Sequence, residues 1–324
     1  MSRLLTAVAL AAIIAPCALA QHYSFIVTGD CRSAGLPGRK GFDENGVNKT
    51  ILKEQVNEII RRKVRFVMVT GDLVLGYTTE EGFRSQLEGW MSLFRPVYNA
   101  GIHVYSVRGN HDAYSKNAMK VWNEIFKGRY ANPLNGPTGE ENCTFAAHEE
   151  NALILGLDDW APHEHSVNEG WLDRQLAANR APHVFAMGHE MAFKDGHHDD
   201  NLDNNEYARD AFVLSLNKGG AKVYFAGHDH FYDHMLISDP KDHPGVELDQ
   251  LVVGTAGAPF YHGSDYNGHN GDWKLTPVKH IEDTYGYELV EINGLKVTMH
   301  FMARKSPGHY EPVDTFEYTA PVKP

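Results

Sequence analysis

The chain has 324 residues, 42% of them hydrophobic and 22% charged, with 30 glycines and a formal net charge of −12. An acidic balance of this size disfavours a nucleic-acid polymer as partner, because phosphate backbones are bound by concentrated lysine and arginine. Three cysteines, Cys17, Cys31 and Cys143, exclude a fold built on a disulfide framework. No stretch reaches the roughly 20 apolar residues of a membrane-spanning helix.

At the N-terminus a single basic residue, Arg3, precedes an apolar run over 4–14 and the small-residue ending Ala18-Leu19-Ala20. This is the three-part form of a secretory leader, with cleavage expected after Ala20 and a mature chain that is secreted or periplasmic. An alternative makes Cys17 a lipidated residue, although Pro16 before it is a poor match to the small residue such processing needs. Cys31 and Cys143 could pair in an oxidising compartment; the place of Cys31 inside a motif favours a small buried thiol.

Residues 23–28 form a β-rich apolar run that stops at Gly29-Asp30, the pattern of a buried strand ending in a polar loop. After a Gly-rich stretch over 35–46, residues 49–62 place Leu52, Val56, Ile59 and Ile60 on one helical face. Residues 65–70 form a second strand, again ending at Gly-Asp, which completes a βαβ unit. Further on, the spacing predicts a helix over 83–98, a strand over 103–107 running into Arg108-Gly109-Asn110-His111-Asp112, and a helix over 118–126. Strands over 144–147 and 152–157 read as a hairpin. A helix over 171–178, a strand over 183–187 reaching Gly188-His189, a helix over 208–216 and a strand over 223–226 reaching Gly227-His228-Asp229-His230 follow. In the last third, strands over 251–254, 287–292 and 296–302, the last two joined by an Asn293-Gly294 turn, are expected to form a second sheet packed on the first. No repeat or Pro-rich linker interrupts the mature chain, 21–324, which reads as one domain. Two polar insertions over 194–205 and 262–273 read as solvated surface loops, with the alternative that they line the mouth of a site.

Five strand ends thus carry Asp30, Asp72, Asn110, His189, and His228 with His230. Each has a glycine beside it or two residues away, which permits a tight turn and close approach to a ligand. Carboxylates, an amide oxygen and imidazoles together suit borderline-to-hard divalent ions such as zinc, manganese or iron. His228 and His230, two apart on extended chain, point the same way and can reach adjacent metals. Calcium prefers oxygen ligands, so three histidines argue against it. A serine hydrolase has no support, since no Gly-x-Ser-x-Gly elbow is present.

In their order, Gly29-Asp30, Gly71-Asp72, Gly109-Asn110-His111-Asp112, Gly188-His189 and Gly227-His228-Asp229-His230 resemble the motifs of the calcineurin-like metallophosphoesterase superfamily. The resemblance runs from about residue 23 to 230. It implies an α/β fold, a four-layer αββα sandwich of two packed mixed sheets flanked by helices. It also implies two divalent ions, manganese, zinc or iron, with Asp72 bridging them; Asn110, His189 and His228 complete one site, while Asp30 and His230 belong to the other. His111 is implied to face the substrate, stabilising charge or protonating the leaving oxygen; the alternative is a histidine that merely shapes the Asp112 loop. Two ions roughly 3.5 to 4 Å apart lower the pKa of a shared water and hold the phosphate oxygens. Direct attack of a metal-bridging hydroxide on a small phosphorylated substrate is therefore expected, without a covalent nucleophile.

The chain departs from the family pattern at Asp30-Cys31-Arg32, where many members carry Asp-x-His, and at Leu75, where purple acid phosphatases carry tyrosine. The first metal loses an expected imidazole. Arg32 cannot ligate a cation, but its planar donors suit a phosphate, the alternative being a structural ion pair. Asn48, at the start of the first helix, stands where an anion is favoured. Asn48-Lys49-Thr50 and Asn142-Cys143-Thr144 are formal glycosylation triplets. A phosphomonoesterase is the expected activity. The alternatives are a phosphodiesterase acting on nucleotides or phospholipid-derived head groups and, more remotely, a non-catalytic metal- or phosphate-binding protein.

Overall fold

The computed structural model describes residues 21–34, 43, 45–161, 163–239, 243–263 and 269–321. The expected leader over 1–20 and most of the Gly-rich stretch over 35–46 lie outside them. Among the described residues no helix is long and apolar enough to cross a membrane.

The expected βαβ pattern opens the fold. Strands β1 (His22–Thr28), β2 (Phe66–Val69) and β3 (His103–Ser106) pair in parallel, with helices α1 (Lys49–Arg62) and α2 (Glu80–Asn99) as the crossovers. Each helix starts at a residue whose side chain accepts an otherwise unpaired N–H: Asn48 from Ile51 and Thr79 from Gly82. Leu52, Val56 and Ile59 are buried as the helical spacing requires, while Ile60 at the edge of that face is half-buried.

The C-terminal strands correct one expectation. Strands β12 (Gly286–Asn293), β13 (Lys296–Ser306) and β14 (His309–Thr319) do not belong to a second sheet but extend the first, in the order β14-β13-β12-β1-β2-β3. The reason lies at β1, whose outer edge would otherwise present unpaired N–H and C=O groups; β12 closes it antiparallel from His22↔Asn293 to Val27↔Glu288. The expected turn at Asn293-Gly294 is present, with Gly294 at φ 62.

The second sheet has the order β10-β11-β8-β9-β7-β6-β5-β4. Its members are β4 (Phe145–Glu149), β5 (Ala152–Gly156), β6 (His183–Met187), β7 (Val223–Ala226), β8 (Tyr232–Asp239), β9 (Val246–Val253), β10 (His269–Asn270) and β11 (Trp273–Ile281). Residues 251–254 fall at the end of β9. The periodicity missed β8, β11 and β14, whose half-polar faces carry histidine, aspartate and proline. Two short helices, α3 (Asn110–Ala113) and α4 (Ala118–Ile125), precede this sheet in the chain, and α5 (Glu169–Ala178) and α6 (Glu206–Gly219) lie between its strands.

Alternation along β1 shows how the layers stack. Ile26 packs with Leu52, Trp90 and Phe94 of the first helical layer, whereas Phe25 and Val27 pack with Phe185, Phe225 and Leu251 of the second sheet. A third cluster, including Leu155, Val184, Trp171 and Phe212, seals the far face. The result is the expected α/β four-layer sandwich of two mixed sheets. Burying each such side chain contributes about 1.5–3 kcal/mol.

A polar link also crosses the two sheets. His234 of β8 lies 2.8 Å from Asp249 Oδ1 through Nε2 and 3.2 Å from Asp314 Oδ2 through Nδ1, and Tyr232 Oη donates to the same Asp314 oxygen at 2.8 Å. Burial alone would depress this imidazole, but the two carboxylates outweigh it and raise it from 6.5 to about 9. The stabilisation from a base raised in this way is complete below its unfolded value and is lost as pH rises through the folded one. The melting-temperature gap between wild type and His234→Gln, measured by calorimetry, should therefore be widest below about pH 6 and narrow above about pH 9. A gap that does not change with pH would contradict a charged His234.

Candidate metal centre

The ends of β1, β2, β3, β6 and β7 meet along one rim of the sandwich, and backbone bonds stitch their loops together. Asp30 N–H donates to Gly71 O at 3.0 Å, Cys31 N–H to Asp72 O at 2.8 Å, and Gly227 N–H to His189 O at 2.9 Å. Asp30, Asp72 and His228 all take the left-handed backbone, with φ of 60, 50 and 73. That conformation costs a non-glycine residue on the order of 1 kcal/mol or more, and it clusters at functional sites. Glycine is required where the loops touch. A Cβ on Gly109 would stand 2.0 Å from Asp72 Oδ1, and one on Gly227 would stand 2.4 Å from Asp30 Oδ2.

The side chains present lone pairs to one another. His189 Nδ1–H donates to Thr70 O at 2.6 Å, so its Nε2 is bare, and that nitrogen faces Asn110 Oδ1 at 3.2 Å and Asp72 Oδ1 at 3.5 Å. Burial pushes His189 down to about 3, which keeps it neutral. His230 repeats the arrangement: Nδ1–H donates to Pro259 O at 2.6 Å and Nε2 lies 3.6 Å from Asp30 Oδ1. His228 donates Nε2–H to Asp200 O at 2.9 Å, which leaves its buried Nδ1 without a hydrogen-bond partner. Both carboxylate oxygens of Asp30 are likewise buried and unpartnered. Burial, with Asp72 beside it, pushes this carboxyl well above the usual range.

Acceptors facing acceptors in a buried pocket are unfavourable unless a cation lies between them. Ligand atoms of Asp30, Asp72 and His230 come within 4.8 Å of one another. Tautomers fixed by outer carbonyls are the usual device for aiming histidine at a metal. Asp30, Asp72 and His230 therefore fit one divalent ion, the first donor set. Asp72 also faces a second set, the bare His189 Nε2 with Asn110 Oδ1, to which the unpartnered His228 Nδ1 is the further expected member.

His111 and Arg32 stand at the same place. His111 Nδ1 bonds to Leu75 O, its Nε2 lies 3.8 Å from Asp72 Oδ2, and its backbone N–H donates to Asp72 Oδ1 at 3.1 Å. Burial lowers its imidazole to about 4. The loop is shaped by Asp112 instead, whose Oδ2 accepts from Leu73 N–H at 3.1 Å and Gly109 N–H at 3.0 Å. Arg32 is 7% exposed and reaches Asp72, His230 and Tyr261. Asn48 stands one step behind the centre: it caps α1 through Oδ1, and its Nδ2 donates to Gly257 O at 2.8 Å.

Sequence reading missed four residues. Tyr77 Oη accepts from Asn110 Nδ2 at 3.0 Å, which turns the amide oxygen toward His189. Tyr261 stacks on His230 with ring centroids 4.0 Å apart. His198 and Asp200 come from the insertion over 194–205, which lines the mouth of the centre and does not lie as a solvated surface loop. The His198 ring stacks on His228 at 3.8 Å and its Nδ1 lies 2.6 Å from Asp229 Oδ1. Their only sequence signal was the density of His and Asp in that insertion. In the other insertion, residues 264–268 lie outside the described residues. Cys31 and Cys143 are both buried free thiols. Asn142 is 2% exposed, with its amide bonded to Asn123 and Phe126 O, so its triplet is closed to glycosylation in the folded chain.

A sequence profile of the calcineurin-like phosphoesterases matches residues 23–232. The chain belongs to this family. By sequence alone it matches no curated protein. Its fold is similar to that of a purple acid phosphatase from yellow lupin, at TM-score 0.63 and 14% identity, covering 93% of this chain and 54% of that one. The chain thus spans about half the length of the lupin enzyme. A dimetal phosphatase from Danio rerio aligns at TM-score 0.58 and 12% identity, over 92% of this chain and 99% of the other. GAP50, described as the anchor in the inner membrane complex of Plasmodium, aligns at TM-score 0.56 and 14% identity, over 93% and 89%.

Gly227→Ala would force Asp30 aside. It should lower metal affinity by about 10–100-fold while the circular dichroism spectrum is retained. Unchanged affinity for every ion bound, in a metal titration of the chelator-stripped protein, would count against Asp30 as a ligand.

Proposed function

We propose that the chain is a phosphomonoesterase for a small substrate, exported by its leader to the periplasm or medium. The observation that carries this reading is the pairing of the converging lone pairs with two further groups, His111 and Arg32, at one partly covered rim. Divalent cations on these donors, manganese, zinc or iron by the oxygen and nitrogen mix, would supply Lewis acidity toward phosphoryl oxygens and a water of lowered pKa.

The chain's own residues do the rest. Arg32 offers planar donors to a phosphate, and its positive charge matches the second negative charge that a monoester has and a diester lacks. The insertion over 194–205 folds His198 and Asp200 against His228, which narrows the entrance and favours a terminal phosphate over an internal one. His111 is fixed by its bond to Leu75 O, so Nε2 is the atom it presents. A bound phosphate dianion counteracts the burial that depresses this imidazole, and Nε2 then holds the proton it passes to the leaving oxygen. A diesterase acting on nucleotides or lipid-derived head groups is the alternative outcome of the first test.

Hydrolysis of p-nitrophenyl phosphate and bis-p-nitrophenyl phosphate by metal-stripped protein, with manganese, zinc or iron restored, decides between them. Activity should return with metal, favour the monoester, and vanish in Asn110→Ala; a faster diester rate would replace the monoesterase reading. Loss of His111 should be felt most where the leaving oxygen needs a proton. His111→Ala should lower kcat by about 10²–10⁴ on an alkyl phosphate and by less on p-nitrophenyl phosphate. Equal losses on both would remove His111 from the acid role.

A further inference from the structure

Resting on the metal-dependent reading above, we propose that Arg32 is a resident cation of the first donor set. The chain then loads one divalent ion tightly, on Asp72, Asn110, His189 and His228, and a second only weakly beside Asp30.

The geometry is direct. Because His230 Nδ1–H is held by Pro259 O at 2.6 Å, Nε2 is the atom that can ligate, and Arg32 Nη2 donates to that atom at 3.3 Å. Arg32 Nε lies 3.5 Å from Asp72 Oδ2. The guanidinium therefore touches two of the three residues, Asp30, Asp72 and His230, whose ligand atoms cluster within 4.8 Å. Nor is it free to leave. Nη2 also donates to Tyr261 Oη at 3.1 Å, the Tyr261 ring is stacked between His230 and His197 at 4.0 Å from each, and the backbone of Arg32 is bridged to Val47.

An ion entering the first set must break two charge-assisted contacts, each equivalent to roughly tenfold in affinity. It must also do so without the imidazole that an Asp-x-His pair would add. Arg32 hydrogen-bonds to none of Asn110, His189 and His228, so its contact with the other set is confined to the shared Asp72. Meanwhile Nη1, which meets Ser33 O at 3.5 Å, remains available to a phosphate oxygen. One positive charge fixed by the chain thus stands where a relative with Asp-x-His would place an exchangeable one.

The test is manganese titration of the chelator-stripped full mature chain, as wild type, Arg32→His and Arg32→Ala. Bound metal is counted after desalting, and electron paramagnetic resonance reports whether ions are isolated or spin-coupled. Wild type should retain one equivalent with an isolated six-line signal and take a second about 100-fold more weakly. Arg32→His should bind two equivalents with a coupled signal, and Arg32→Ala, which removes both contacts, should tighten the second equivalent by about 100-fold. Two equally tight, coupled ions in wild type would overturn the proposal and leave the metal-dependent reading standing. No bound ion in wild type or either variant, with normal thermal melting, would overturn both. Should Arg32→His fail to fold, the wild-type and Arg32→Ala titrations decide the question.

Discussion

Two carboxylates buried side by side, Asp30 and Asp72, set the terms for the rest of this molecule. Asp30 is fully buried and neither of its oxygens has a hydrogen-bond partner. Placing such a group in a low-dielectric interior costs several kcal/mol unless positive charge compensates it. The compensation available is of two kinds, a guanidinium already present and imidazole and amide donors aimed for cations that bind. The surrounding architecture can be understood as the means of holding these groups close while they repel one another.

That holding is done by the backbone. The rim loops are bonded to one another, Asp30 to Gly71 and Cys31 to Asp72, so the left-handed residues are fixed by neighbours and not by their own preference. Behind them, Asp159 Oδ2 accepts the N–H groups of His189 and Glu190 at 2.6 and 2.8 Å, and Arg108 pairs with Asp158 at 2.5 Å in the interior. The strained rim rests on a rigid base: tightly packed apolar layers above and below each sheet allow it little movement. Strain at the site and order beneath it are two parts of one arrangement.

The mouth adds a second tier. Asp229 lies between the two histidines of the last motif and is not itself aimed at the centre. It accepts the backbone N–H of His197 and His198 and the His198 ring, and so anchors the insertion over 194–205. The same insertion returns a carbonyl, from Asp200, that fixes the tautomer of His228. Donors and cover are therefore mechanically linked through two hydrogen-bonded carboxylate and carbonyl contacts.

Much of this was legible in the sequence because strand ends carry their own punctuation. A β-rich run stopping at Gly-Asp, Gly-Asn-His-Asp or Gly-His-x-His reports both the end of the strand and the group placed there, and Asp30, Asp72, Asn110, His111, His189, His228 and His230 all arrive at one rim. The pairing of β12 with β1 was not legible, since which free edge a late strand covers is decided by distant hydrogen-bonding groups and not by local periodicity. Tyr77, His198, Asp200 and Tyr261 escaped for a similar reason: their roles come from contacts with residues as much as 229 positions away. By itself the sequence determined the order of the strands and helices that carry the site, the chemical identity of the donors and the departure at Arg32. Tertiary structure alone decided that the Arg32 guanidinium faces the ligating nitrogen of His230, because that contact depends on how two loops from different sheets are brought against each other.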